Sequence, residues 1–192
     1  MSKIKGIKMQ LTREESVVVV IDVQGKLATL IQDDEALSST IETLIEASSL
    51  LSVPALWVEH VPDKLGATIP SITHKMSCFH PELKPIVKNS FSAMPNQKFK
   101  QALKSINRKQ VILVGIEAHI CVYQTAQDLL TEGYEVFVLV DGVSSRTAKN
   151  YQLGLSRMEQ LGVTLTSIEM LVFEWQKIAE GATFKAITKL FR

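Results

Sequence analysis

A cysteine closes an apolar strand pattern near the middle of the chain: Val111-Ile112-Leu113-Val114-Gly115-Ile116-Glu117-Ala118-His119-Ile120-Cys121. The β-branched run predicts a buried strand ending at a glycine, and a helical pattern begins around Cys121. A thiol at a strand-to-helix turn sits where α/β proteins place their chemistry. The unpaired N–H groups of a first helical turn also favour a thiolate. Cys121 is therefore a candidate nucleophile. Asp22 ends another apolar run, residues 17–21, and Lys88 ends a short one, residues 86–88. In a parallel sheet such strand ends share one edge, so the three side chains are expected to converge. A carboxylate can take the thiol proton, and an ammonium can stabilise the thiolate and lower its pKa. Two N–H groups at the turn can bind an oxyanion. Such a thiolate is expected to alkylate fast near neutral pH, and more slowly once Asp22 or Lys88 is replaced. Taken singly, each residue also has a plainer role: a core thiol, a turn cap and a solvated lysine.

The elements that must position these groups follow from periodicity. Strand patterns fall at residues 17–21, 54–58, 86–88, 111–114, 135–140 and 163–166. Ser39-Thr40-Ile41-Glu42 has the form of a capping box, with helical spacing continuing through Ile41, Leu44, Ile45, Ser48 and Leu51. Asn96 is placed to cap a helix carrying Phe99, Ala102, Leu103 and Ile106. Gly133 and Gly162 stop two later helices, and two short helical segments finish the chain. Residues 59–85, with four prolines and three histidines, predict a long loop with at most one helical turn. Apolar strands alternating with helices predict one α/β domain over residues 1–192: a three-layer α/β/α arrangement on a parallel sheet of about six strands.

The 192 residues suffice for one well-buried domain. A net charge of +1 and the lack of a basic stripe with aromatics argue against a dedicated nucleic-acid surface. Lys98, Lys100, Lys104, Arg108 and Lys109 read as the solvated face of one helix. Two cysteines make no disulfide framework, so a reducing, cytoplasmic setting is expected. Residues 1–12 lack the apolar core of a secretory leader. No apolar run approaches the roughly 20 residues of a membrane span. Asp22-Val23-Gln24-Gly25-Lys26 lacks the dinucleotide fingerprint, which argues against a nicotinamide-dependent dehydrogenase. No C-x-x-C pair points to a redox thiol.

The residues from Gly115 to Ala126 resemble the nucleophile segment of the isochorismatase-like cysteine hydrolases. Val18-Val19-Val20-Ile21-Asp22-Val23-Gln24 is similar to that superfamily's first strand with its aspartate. Val87-Lys88-Asn89-Ser90-Phe91-Ser92-Ala93-Met94 is similar to its lysine segment. Asp141-Gly142-Val143-Ser144-Ser145-Arg146 and Phe184-Lys185-Ala186-Ile187-Thr188-Lys189-Leu190 look most like the isochorismatase domain-containing subgroup. The resemblance implies a Rossmann-like open sheet and a triad of Asp22, Lys88 and Cys121. It also implies a cis peptide at Ile116–Glu117 that turns the N–H groups of Glu117 and Cys121 toward an oxyanion. Members with the full triad resemble amidases that work through a thioester on a small-molecule substrate. The enol-ether hydrolases of the superfamily work without the cysteine, and such an enzyme would survive Cys121→Ala. A binding protein that kept the fold is the remaining alternative.

The nicotinamidase branch holds a metal with an Asp-x-His pair after the second strand. Here that place reads Val58-Glu59-His60-Val61-Pro62-Asp63, and His60, His74 and His80 match no nameable site, so no metal and no organic cofactor are expected. The subgroup usually carries glutamine where His60 stands. Gln24, Glu59, His60 and Phe91 are candidates to line the pocket, Gln24 and Glu59 with capping or solvation as alternatives. Trp57 and Phe91 offer an apolar wall for a flat substrate, with core packing as the alternative, and Cys78 is expected to be inert. The resemblance further implies a homo-oligomer, for which the apolar Leu171-Val172-Phe173-Glu174-Trp175 offers either an interface or core.

Overall fold

The structure, a computed structural model, describes residues 10–191. The start of the chain, expected to hold no leader, thus lies largely outside the described residues. Strands β1 (Ser16–Ile21), β2 (Ala55–His60), β3 (Ile86–Lys88), β4 (Gln110–Ile116), β5 (Glu135–Ser144) and β6 (Thr164–Thr166) form one sheet. Its order is β3-β2-β1-β4-β5-β6, with every neighbouring pair parallel. The helices are α1 (Asp34–Leu50), α2 (Pro62–Leu65), α3 (Pro70–Phe79), α4 (Gln97–Ile106), α5 (Tyr123–Thr131), α6 (Ala148–Leu161), α7 (Ile168–Gln176) and α8 (Gly181–Leu190).

The strands alternate between two cores. Val18 and Val20 pack with residues of α1, α3, α7 and α8, while Val17, Val19 and Ile21 pack with residues of α4, α5 and α6. Both faces of β1 are covered, which is why its sequence is apolar throughout rather than alternating. The chain leaves β1 toward β2 and β3, then crosses back to β4 on the other side of β1. Strand order therefore reverses between β1 and β4. Crevices at such switch points, beyond the carboxyl ends of the strands, are where open α/β sheets bind ligands. Asp22 follows β1, and Cys121 follows β4.

Gly115 sets how closely these two strand ends approach. It pairs with Ile21 in the ladder and has φ +118°. A Cβ there would lie 2.0 Å from the Ile21 carbonyl oxygen. Gly115→Ala therefore combines a forbidden backbone conformation with a main-chain clash beside Asp22. It is expected to cost more than about 3 kcal/mol, a fall of roughly 6–12 °C in Tm for a chain of this size, measurable by thermal denaturation.

Several local expectations need correction. Ser39 to Glu42 lie inside α1, which starts a turn and a half earlier with Asp34 and Glu35 in its first turn; acidic residues there suit the helix dipole as well as a capping box does. The region read as a loop holds two helices, and Pro62 and Pro70 occupy their first turns, where a missing N–H costs nothing. Strand β5 continues four residues past Val140. Arg108 lies beyond α4 and is no solvated-face residue: its guanidinium donates to the carbonyls of Arg13 and Ser16. In the apolar stretch of α7, Leu171, Val172 and Trp175 are core, and Trp175 donates to Ser16 Oγ at 2.9 Å. Asn96 does cap α4, accepting from Phe99 N–H. Among the described residues no helix is long and apolar enough to cross a membrane.

Candidate active site

Asp22, Lys88 and Cys121 are all buried at the carboxyl edge of the sheet, with 2%, 2% and 7% of their surface exposed. Asp22 turns the chain out of β1 in a left-handed conformation, φ +52°. Lys88 sits two strands away, opposite His60 of β2 in the ladder. Neighbouring strands lie about 4.8 Å apart, so only a long side chain can cross the end of β2. The Lys88 ammonium does so and donates to Asp22 Oδ2 at 2.6 Å. Its other two N–H groups go to the carbonyls of Ser90, at 3.1 Å, and Phe91, at 2.9 Å. An ammonium has three donors, and all three are engaged within the protein. Asp22 Oδ1, by contrast, is buried with no hydrogen bond of ordinary geometry.

Cys121 stands in a π-helical turn, Ala118–Val122, between β4 and α5. The turn closes on Glu117, whose carbonyl accepts from Ile120 at 3.0 Å and Val122 at 3.3 Å. The peptide bond Ile116–Glu117 is cis. The Glu117 carboxylate accepts from Arg146 Nε at 2.9 Å and from its backbone N–H at 3.1 Å. His119 Nδ1 lies 3.0 Å from Ser145 Oγ. Gly154 of α6 lets that helix rest on the turn: a Cβ there would come within 3.0 Å of His119 Cα.

The electrostatics reverse one expectation. The Cys121 thiol is pushed up to about 12, chiefly by burial and then by the Asp22 charge, with Lys88 pulling the other way. Burial likewise raises Asp22 above the usual carboxylate range despite Lys88. The thiol and the carboxylate face each other, each entering the other's balance through a hydrogen-bonding interaction. Cys121 is thus a thiol at rest, not the low-pKa thiolate expected from sequence. Lys88 fails to win because its charge is matched by Asp22 and the sulfur is out of water.

The pocket candidates separate. Gln24 is fully buried, and its amide is occupied by the main chain: it accepts from His60 N–H at 2.6 Å and donates to the carbonyls of Gly66 and His60. Its role is to tie the segment after β2 to the exit of β1, the capping alternative rather than the pocket-lining one. Gln24→Ala leaves those main-chain groups without partners, at about 1–3 kcal/mol for each that stays dry. Faster hydrogen exchange at the His60 amide is the expected sign. Glu59 is buried rather than solvated, and its Oε1 accepts from Thr68 N–H and Oγ1 at 2.7 Å. Trp57 is core and donates to Thr68 Oγ1. The His60 and Phe91 rings lie together, centroids 5.4 Å apart, and Phe91 is 51% exposed rather than core. His74 and His80 go elsewhere: His74 lies beside the exposed Cys78 on α3, and His80 pairs with Ser48. Among the described residues no group of three or more metal-ligating side chains is gathered.

A sequence model of the Isochorismatase domain matches residues 16–170. The chain belongs to the isochorismatase family. Isochorismatase domain-containing protein 2 of Danio rerio is 36% identical over 94% of this chain and 89% of its own. The secreted isochorismatase effector Isc1 of Phytophthora sojae is 34% identical, covering 95% and 87%. The solved structure of the MAR1 ribonuclease from Caenorhabditis elegans superposes with a TM-score of 0.87 at 34% identity, over 95% of this chain and 92% of that one. The six-stranded parallel sheet flanked by helices is the α/β fold of this hydrolase family. Within it, the Gln24 clamp, the Glu59–Thr68 contact and the Glu117–Arg146 pair are the features that sequence reasoning did not reach.

Proposed function

We propose that this isochorismatase-family chain is a cysteine-dependent hydrolase of small amide or related acyl substrates. The observation that carries the proposal is the buried Asp22–Lys88 ion pair with the Cys121 thiol facing it. Lys88 fixes Oδ2, so Oδ1 is the oxygen left to accept a proton. With the thiol pushed up to about 12 by burial and the Asp22 charge, the resting sulfur keeps its proton at pH 7. Attack must therefore be coupled to proton transfer. As sulfur bonds to the substrate carbonyl carbon, Asp22 Oδ1 takes its proton, and a carboxylate with a raised pKa suits that task. The N–H groups of Glu117 and Cys121 are assigned to the oxyanion. The C–N bond breaks, and Asp22 returns the proton to the departing amine. Water, deprotonated by Asp22, then cleaves the thioester.

A second reading draws on the raised pKa of Asp22. A carboxylic acid that stays protonated to higher pH can protonate an enol ether without any thiol. Ammonia release from a panel of small primary amides separates the two. Loss of turnover in Cys121→Ala supports the thioester route; full turnover in that variant moves the assignment to cysteine-independent chemistry. Cytoplasmic location and self-association belong to the same proposal, the latter because Leu30, Leu153, Met170 and Ile178 are exposed apolar side chains. Light scattering on the purified chain should give a multiple of the 21.3 kDa protomer; the monomer mass would remove that part.

A further inference from the structure

The charges around the sulfur restrict what can approach it. The strongest are the carboxylates of Asp22 and Glu117 and the ammonium of Lys88. Lys88 cannot greet a substrate carboxylate without releasing Asp22 or a carbonyl, since its three donors are engaged. Arg146, half exposed, pairs with Glu117 through Nε, so that carboxylate too is matched by a cation. His60 and Phe91 stand beside the Lys88–Asp22 pair: His60 is opposite Lys88 in the ladder, and the Phe91 carbonyl accepts from the ammonium. His60 ends β2, its main chain held by Gln24, its Nδ1 buried and without a hydrogen bond of ordinary geometry, its ring against the exposed Phe91.

We propose that this site selects uncharged acyl substrates over carboxylate-bearing ones, and that His60 and Phe91 are the residues that receive the acyl group. The proposal deepens the thioester assignment and rests on it. Burial and the neighbouring ammonium hold the His60 pKa below its ordinary value, so the imidazole offers a hydrogen bond but no positive charge at neutral pH. Phe91 supplies an apolar wall beside it. A carboxylate placed there would lose its hydration beside a neutral imidazole and an apolar ring, with the Lys88 ammonium already engaged by Asp22 and two carbonyls. Substrates of the acid type that name the family are therefore disfavoured in this chain.

Two esters of similar size test it: p-nitrophenyl butyrate and mono-p-nitrophenyl succinate, whose acyl chain ends in a carboxylate. In each, the Cys121 S–C bond forms, the C–O bond to nitrophenol breaks, the thiol proton passes to Asp22 and nitrophenolate leaves. Acylation is followed by nitrophenolate release and by intact mass in a Cys78→Ser background. The butyrate is expected to acylate at least tenfold faster per unit concentration. His60→Arg should shrink the ratio below threefold or reverse it, and His60→Gln should keep it. In the wild-type sequence, the neutral methyl ester of the succinate should acylate within threefold of the butyrate, since capping the carboxylate removes that loss of hydration; this arm stands even where His60→Arg fails to fold. Equal or faster acylation by the succinate overturns the selection, and a ratio unmoved by a folded His60→Arg overturns the role of His60. Acylation of Cys121 by neither ester overturns the thioester assignment itself, a result distinguishable from both.

Discussion

Replacing Asp22 with Asn is expected to lower acylation of Cys121 about 10³-fold, while the thiol itself becomes easier to ionise. The two effects have opposite signs because Asp22 plays two parts. It is the base that receives the proton during attack, a role typically worth 10²–10⁴ in rate. It is also the negative charge that, after burial, does most to raise the thiol pKa. An amide at position 22 removes both, leaving Lys88 next to the sulfur. The thiol titration, followed by thiolate absorbance, should move down from about 12. Alkylation by a simple electrophile at pH 8 should speed up even as acylation by an amide collapses. A site that used a preformed thiolate held by Asp22 and Lys88 would instead show both rates falling together. The acid limb of the wild-type acylation rate follows from the same carboxylate. Because burial raises Asp22, the limb should lie above the usual carboxylate value of 3.8 and vanish in Asp22→Asn.

Lys88→Met is expected to be the most destabilising change at the site, at about 3–5 kcal/mol near neutral pH. It leaves a carboxylate with 2% of its surface exposed and no counter-ion, and strips two loop carbonyls of their donor. The sign of the pH dependence follows from the direction of the Asp22 shift. Burial raises the folded-state pKa above the unfolded one, and removing Lys88 removes the main influence that opposes this. The unfolded chain then loses its proton first, so stability is greatest below the unfolded pKa and declines as pH rises through the folded one. Urea denaturation of Lys88→Met should therefore show a smaller deficit at pH 4 than at pH 8, each relative to wild type. The double variant Asp22→Asn/Lys88→Met should recover most of the loss, because no unpaired charge remains. A deficit independent of pH, with no recovery in the double variant, would mean that Lys88 acts through packing alone.

Both predictions turn on what was and was not legible in the sequence. Strand ends were legible because both faces of the sheet are covered. Continuous apolar runs such as Val17 to Ile21 can then only be buried parallel strands, and their polar successors share an edge. Asp22, Lys88 and Cys121 meet on that logic. The sign of the thiol shift was not legible, since it depends on how completely the sulfur leaves water. Nor was the Gln24 clamp: its partners, His60 and Gly66, are brought back by a segment whose prolines read as loop markers. Pro62 and Pro70 start helices instead of ending them, a distinction set by the residues that follow. The Glu117–Arg146 pair joins two segments 29 positions apart, and nothing in local periodicity announces it.

The most direct measurement is rapid-quench intact mass of the protein mixed with small acyl amides, with peptide mapping of any adduct. A transient mass increase equal to the acyl group, located on Cys121 and absent from Cys121→Ala and Asp22→Asn, is the expected result. Turnover of an amide with no adduct at any quench time, and with Cys121→Ala as active as wild type, would contradict the thioester and leave Asp22 as the sole centre of the chemistry.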